Sequence, residues 1–149
     1  MERHEHRNLP FFKFEDLRIY HKAIDYLIWV QSKGNKPFAA GEAAVYNKFI
    51  EAAYQVITNI AEGSVRPKDD FLQFLRMSKS SVRECLVASH VMHRGGLFSD
   101  EELEESKSVL IEMVKMLGAM ISSIHRFANE QEEEPVTANQ PNHYDHKNY

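Results

Sequence analysis

Apolar positions recur at steps of three and four along four stretches of the chain, and that periodicity predicts four helices. The first runs from about Asp16 to Ser32, with Ile19, Ala23, Tyr26, Leu27 and Val30 on one face, Asp16 as N-cap and Gly34 as stop. The second spans Phe38 to Ala61 and carries Val45, Phe49, Ala52, Ala53, Val56 and Ile60, with Gly63 at the C′ position. Pro67 opens the third, because a missing N–H costs nothing in a first helical turn, and Asp69 and Asp70 complement the dipole there. Its buried face reads Phe71, Phe74, Leu75, Ser78, Val82, Cys85 and Met92, and Gly95-Gly96 ends it. The fourth starts with a capping box, Ser99 and Glu102, flanked by a hydrophobic staple of Phe98 and Leu103. Leu103, Ser106, Leu110, Met113, Leu117, Met120, Ile124 and Phe127 then repeat as a seam.

Short connections between these patterns predict an all-α, antiparallel up-down-up-down four-helix bundle over residues 14–127. An extension (1–13) precedes it, and an acidic tail (128–149) expected to be disordered follows. The 149 residues have room for one core, and with only five Pro and six Gly the chain is poor in the turns that an all-β fold needs. Cys85 is the single cysteine, which excludes an intrachain disulfide and points to a reducing compartment. With no signal region and no apolar run near the roughly 20 residues of a membrane span, the expectation is a cytoplasmic protein without membrane contact.

The net charge of −4 changes meaning when it is divided along the chain. Five of the 22 acids but one of the 18 Lys/Arg lie in 128–149, so the body is neutral and local arrangement decides. Projected at about 100° per residue, Arg76, Lys79, Arg83, His90 and Arg94 form a stripe on helix three away from its apolar face. Asp69, Asp70 and Glu84 avoid it. Such a row can track phosphates at salt-sensitive affinity; the plain alternative is a solvated face. In Asn59-Ile60-Ala61-Glu62-Gly63, Glu62 stands where the helix dipole disfavours an acid, so a cationic partner or a capping role is expected.

Candidate chemistry is sparse. A carboxylate-bridged di-metal centre needs Glu-x-x-His pairs, and the sequence has none. His90 and His93 share a helix without a strong third ligand, so no metal or other cofactor is expected. Phosphate loops, nucleophile elbows and zinc-protease helices are missing, and Cys85 reads as a small core residue. One spacing is compatible with catalysis: Arg83 and His90 resemble the Arg-x(4–6)-His signature of HEPN-type ribonucleases, in which the His acts on a ribose hydroxyl and the Arg steadies the phosphate.

The quoted residues also carry a broader resemblance. Phe14-Glu15-Asp16-Leu17 with Tyr20, Lys22 and Ala23, then Asn59 to Gly63, then Phe71-Leu72-Gln73-Phe74-Leu75 with Ser78, Ser80, Ser81 and Glu84, resemble the bacterial 23S rRNA intervening-sequence proteins in the same order. The last helix, with Glu104, Val109, Leu110, Ile111, Glu112, Leu117 and Gly118, is similar to the accessory variability determinants of diversity-generating retroelements. The resemblance implies an antiparallel four-helix bundle assembled as a homopentameric ring, with nucleic acid and, in the retroelement branch, a reverse transcriptase as partners. One departure stands out: Ile50-Glu51 replaces a basic pair common in relatives, leaving helix three the better candidate for nucleic acid.

The function expected is therefore non-enzymatic: an oligomeric adaptor that binds RNA or DNA through phosphates, without reading sequence, or binds a nucleic-acid-handling protein. Its rivals are a purely protein-binding bundle and the HEPN-like ribonuclease. Self-association is expected through Tyr46, Phe49, Tyr54, Met113, Met116 and Met120, which exceed the needs of a narrow seam.

Overall fold

The computed structural model describes residues 13–133. Residues 1–12 and 134–149, and with them most of the expected extension and tail, lie outside the described residues. A short 3-10 turn, Lys13–Asp16, leads into α1 (Arg18–Gln31), α2 (Ala40–Ser64), α3 (Lys68–Arg94) and α4 (Asp100–Glu133). Among the described residues every regular element is helical.

The helix starts test the capping argument directly. Ser99 Oγ accepts from the Glu102 amide and Glu102 Oε1 accepts from the Ser99 amide, both at 3.1 Å, so the reciprocal box that opens α4 is present. Asp16 does not cap α1. The 3-10 turn closes with the Leu17 amide on the Phe14 carbonyl (3.0 Å) and absorbs Asp16, leaving Leu17 at the cap with no side-chain bond. Pro67 sits one position earlier than expected, at the cap of α3, where its carbonyl accepts the Phe71 amide at 2.9 Å. After α3, Gly96 adopts φ +79°, and the Leu97 and Phe98 amides fold back onto the Met92 carbonyl. A glycine carries no steric cost in that left-handed turn.

Contacts between helices run in opposite sequence directions. On α1 and α4, Lys22 meets Glu112 while Trp29 meets Glu105; on α3 and α4, Arg76 meets His125 while His93 meets Asp100. The core between them draws on all four helices, including Ile19, Tyr26, Val30, Phe49, Ile60, Leu75, Val82, Met92, Met113 and Leu117. By length and composition alone α4 over Asp100–Phe127 is apolar enough to cross a membrane, although Glu112 and Lys115 interrupt its apolar positions. Its stripe of Leu110, Met113 and Leu117 is buried within the bundle.

Two details differ from the sequence pattern. Gly63 is inside α2, which continues to Ser64, so it is not a C′ stop. A Cβ placed there would lie 2.6 Å from Phe74 Cβ and 2.8 Å from Phe71 Cδ2. Gly63 is thus a point of close approach between α2 and α3, and Phe71 and Phe74 flank it half-buried while Leu72 takes a core position instead. The core also holds a polar chain. Ser89 Oγ donates to the Cys85 carbonyl (2.8 Å), leaving its lone pairs for Ser106 (2.7 Å), which in turn accepts from Tyr26 Oη (2.8 Å). Three helices are tied by these bonds, and burial raises the Tyr26 pKa, keeping the phenol a donor.

At one end of the bundle Glu102 gathers charge. Lys36 Nζ reaches both its carboxylate (2.8 Å) and the Leu97 carbonyl, and Lys33 Nζ lies 3.3 Å away. Burial opposes ionisation of this side chain. The hydrogen bonds from Lys36, the Ser99 amide and Lys33 outweigh it and hold the carboxyl at about 2.

Candidate nucleic-acid interface

Apolar positions of α3, among them Leu75, Val82, Cys85 and Met92, are buried in the core, which leaves its charged positions on the outer face. Arg76, Arg83 and Arg94 are exposed, and Lys79 and His90 are half-exposed, so all five expected residues lie outside the core. At 1.5 Å per residue the row from Arg76 to Arg94 is about 27 Å long. Four cations off the row are paired, Lys22 with Glu112, Lys33 and Lys36 with Glu102, and Arg66 with Glu62, whereas Lys48, Lys107 and Lys115 beside the row have no ion pair among the described residues. Among the described residues none of Arg76, Lys79, Arg83 and Arg94 has a carboxylate partner within ion-pair distance. Arg76 donates to His125 Nε2 (3.1 Å) and Arg83 to Ser80 Oγ (3.2 Å), neutral contacts that orient the guanidinium groups and leave their charge uncompensated.

The row is not purely cationic. Val87, 62% exposed, follows Arg83 by one turn, and Val91, 47% exposed, lies beside it. A groove of about 470 Å³ between α2 and α3 is lined by Val45, Lys48, Arg83, Glu84, Val87 and Val91. On the other flank, a hollow of about 280 Å³ between α3 and α4 has Val82, Leu86, Leu110, Ile111 and Val114 as floor and Arg83, Lys107 and Lys115 at its rim. Arg83 borders both. Lys48, Lys107 and Lys115 were missed in the sequence because each belongs to a different helix from the row. A signal existed for two of them: Lys107, Ile111 and Lys115 follow one another at four-residue steps.

The motif Asn59 to Gly63 proves largely architectural. Ile60 is fully buried, Ala61 accepts from Ser64 Oγ (2.7 Å), and Gly63 sets the α2–α3 approach. Glu62 has the cationic partner expected of it: Arg66 Nη2 donates at 2.6 Å, and the same guanidinium lies over the Phe74 ring at 5.6 Å. Asn59 borders a polar groove with Gln55, Ser80 and Glu84.

Several chemical readings can be placed. His93 is bonded to Asp100 (2.6 Å), and among the described residues no three His, Cys, Asp or Glu side chains gather as a metal site. Burial, with the Glu84 carboxylate adding, pushes the Cys85 thiol up to about 12, so it sits in the core as an inert thiol. Arg83 and His90 share a face, yet the Arg83 guanidinium is bonded to Ser80, one turn in the direction away from His90. Of the residues expected to drive self-association, two are consumed by the core and three more are partly buried. Phe49 and Met113 are fully buried, and Tyr46 donates to the Val30 carbonyl (2.8 Å). Of the six, Tyr54 is exposed, and further exposed apolar surface lies at Met77, Val87, Val91 and Ile111.

Residues 15–119 match the family model described as 23S rRNA-intervening sequence protein. No curated protein matches the chain.

Proposed function

The chain belongs to the 23S rRNA-intervening sequence protein family, and from that premise we propose that it is a non-catalytic adaptor that holds RNA by its phosphates along α3. The observation that carries this reading is the row Arg76, Lys79, Arg83, His90 and Arg94, in which no Lys or Arg has a carboxylate within ion-pair distance among the described residues. A row of cations about 27 Å long attracts a polyanion by counterion release, without regard to base sequence. Duplex DNA offers the same phosphates and binds by the same rule. The orientation of Arg83 toward Ser80 favours binding over HEPN-type cleavage, since it turns the guanidinium away from His90.

The opposed contact pairs support an up-down-up-down bundle, and the family resemblance supports a homopentameric ring. Exposed Met77, Val87 and Val91 supply apolar surface for such self-association. A ring repeats the row, so weak contacts add through avidity on one polymer. In a retroelement setting the protein partner is a reverse transcriptase, and the site of action is the cytoplasm.

Fluorescence anisotropy with a structured RNA and a duplex DNA, taken through a salt series, tests the reading. Wild-type affinity falls steeply as salt rises, and the triple reversal Arg76→Glu, Lys79→Glu, Arg83→Glu removes binding while helicity and the light-scattering mass persist. Equal binding by the triple variant, or none by wild type at low salt, refutes it.

A further inference from the structure

Phosphate binding explains the cations of α3 but not the apolar floor beside them. The hollow between α3 and α4 is floored by Val82, Leu86, Leu110, Ile111 and Val114, and Arg83, Lys107 and Lys115 stand at its rim. Ile111 is 51% exposed, an unfavourable position for a β-branched side chain that nothing covers. At about 280 Å³ the space accepts one large side chain, not a whole helix. A nucleobase fits by size, but its edge donors and acceptors would be desolvated against aliphatic walls that return no hydrogen bond. An aromatic or aliphatic side chain meets no such penalty. None of the lining residues is acidic, and among the described residues neither Lys107 nor Lys115 has a carboxylate within ion-pair distance.

We infer that the α3–α4 hollow docks an acidic segment of a partner protein, inserting one bulky apolar side chain onto Leu86, Ile111 and Val114 while flanking carboxylates meet Arg83, Lys107 and Lys115. The site goes beyond the RNA-binding row and shares only Arg83 with it. Apolar insertion supplies the anchor, and the rim cations select against basic or neutral segments. Because Arg83 serves both, RNA and the acidic segment compete.

The probe is a fluorescein-labelled peptide in which one Trp is flanked on each side by Asp-Glu pairs, titrated into the full chain. Replacing its Trp with Ala weakens binding about tenfold, in line with the loss of a buried aromatic side chain. Ile111→Asp, a change at an exposed position, weakens it similarly while leaving oligouridine binding unaltered. Lys107→Glu with Lys115→Glu weakens the acidic peptide and creates affinity for a Lys-flanked version. Arg76→Glu with Lys79→Glu lowers oligouridine binding and spares the peptide, so failure of the RNA reading is seen separately. The inference is overturned if the Trp and Ala peptides bind alike, if neither binds, or if Ile111→Asp abolishes oligouridine binding. A loss of oligomeric mass in Ile111→Asp would also overturn it, since the hollow would then be a contact between copies.

Discussion

Replacing Gly63 with alanine sets two effects against each other, and the structure decides the sign. In an unobstructed helix, alanine is favoured over glycine by about 1 kcal/mol. At Gly63 the new Cβ would fall 2.6 Å from Phe74 Cβ and 2.8 Å from Phe71 Cδ2. The Phe71 contact is with a ring edge that can swing aside. The Phe74 contact is with an atom one bond from the backbone, so relief there requires α2 and α3 to separate by about 1 Å to reach ordinary contact. Because two packed helices must move apart, the cost falls in the upper part of the overpacking range, about 2–3 kcal/mol, which exceeds the propensity gain. The expected net loss is about 1–2 kcal/mol, or a Tm lower by roughly 4–10 °C for a domain of this size. Gly118 is the matched control, since a Cβ there meets nothing within 4 Å. Gly118→Ala should raise stability by about 1 kcal/mol. Urea unfolding followed by circular dichroism measures both. A Gly63→Ala protein as stable as wild type would refute the close-approach argument.

Glu102 predicts an acid limb. Its folded pKa, about 2, lies below the ordinary 4.5, so its contribution is present above pH 4.5 and is lost as pH falls toward 2. Glu102→Gln should therefore lower Tm at pH 7 and flatten the decline between those values, and parallel pH profiles for the two proteins would contradict this. Ser106→Ala removes the acceptor of the buried Tyr26 hydroxyl and should cost about 1–3 kcal/mol. Adding Tyr26→Phe to that variant should recover part of the loss in a double-mutant cycle, and strictly additive losses would show that the two hydroxyls are not coupled.

What the sequence made legible was chiefly local. The Ser99–Glu102 box, the Gly95-Gly96 turn and the unusual position of Glu62 each involve residues within four positions of one another, and each was placed correctly. Periodicity found the four helices, and the projected α3 row is exposed as expected. Failures came where distant segments compete. Phe71 and Phe74 looked like core until Gly63 drew them to the edge of the α2–α3 contact. Asp16 is the local exception, a good cap by type that the adjoining 3-10 turn took first. Phe127 continues the seam of α4 yet is 58% exposed, with the Lys68 ammonium over its ring. The rim lysines of the α3–α4 hollow could not be assigned to Arg83 before the helices were packed, because a one-dimensional projection carries no information about neighbours on another helix.

The bonds from Lys36 to the Leu97 carbonyl and to Glu102 reach across from the α1–α2 connection to the α3–α4 connection. Two segments far apart in the gene are thereby under one geometric constraint. An insertion or deletion in either connection moves the ammonium or the carboxylate away from its counterpart and strands a charge at the foot of the bundle. Change at this end should therefore come in compensated pairs, whereas among the described residues the short Val65–Pro67 turn has no side-chain hydrogen bond or ion pair to another connection. Lineages of this bundle should vary in length at that turn first.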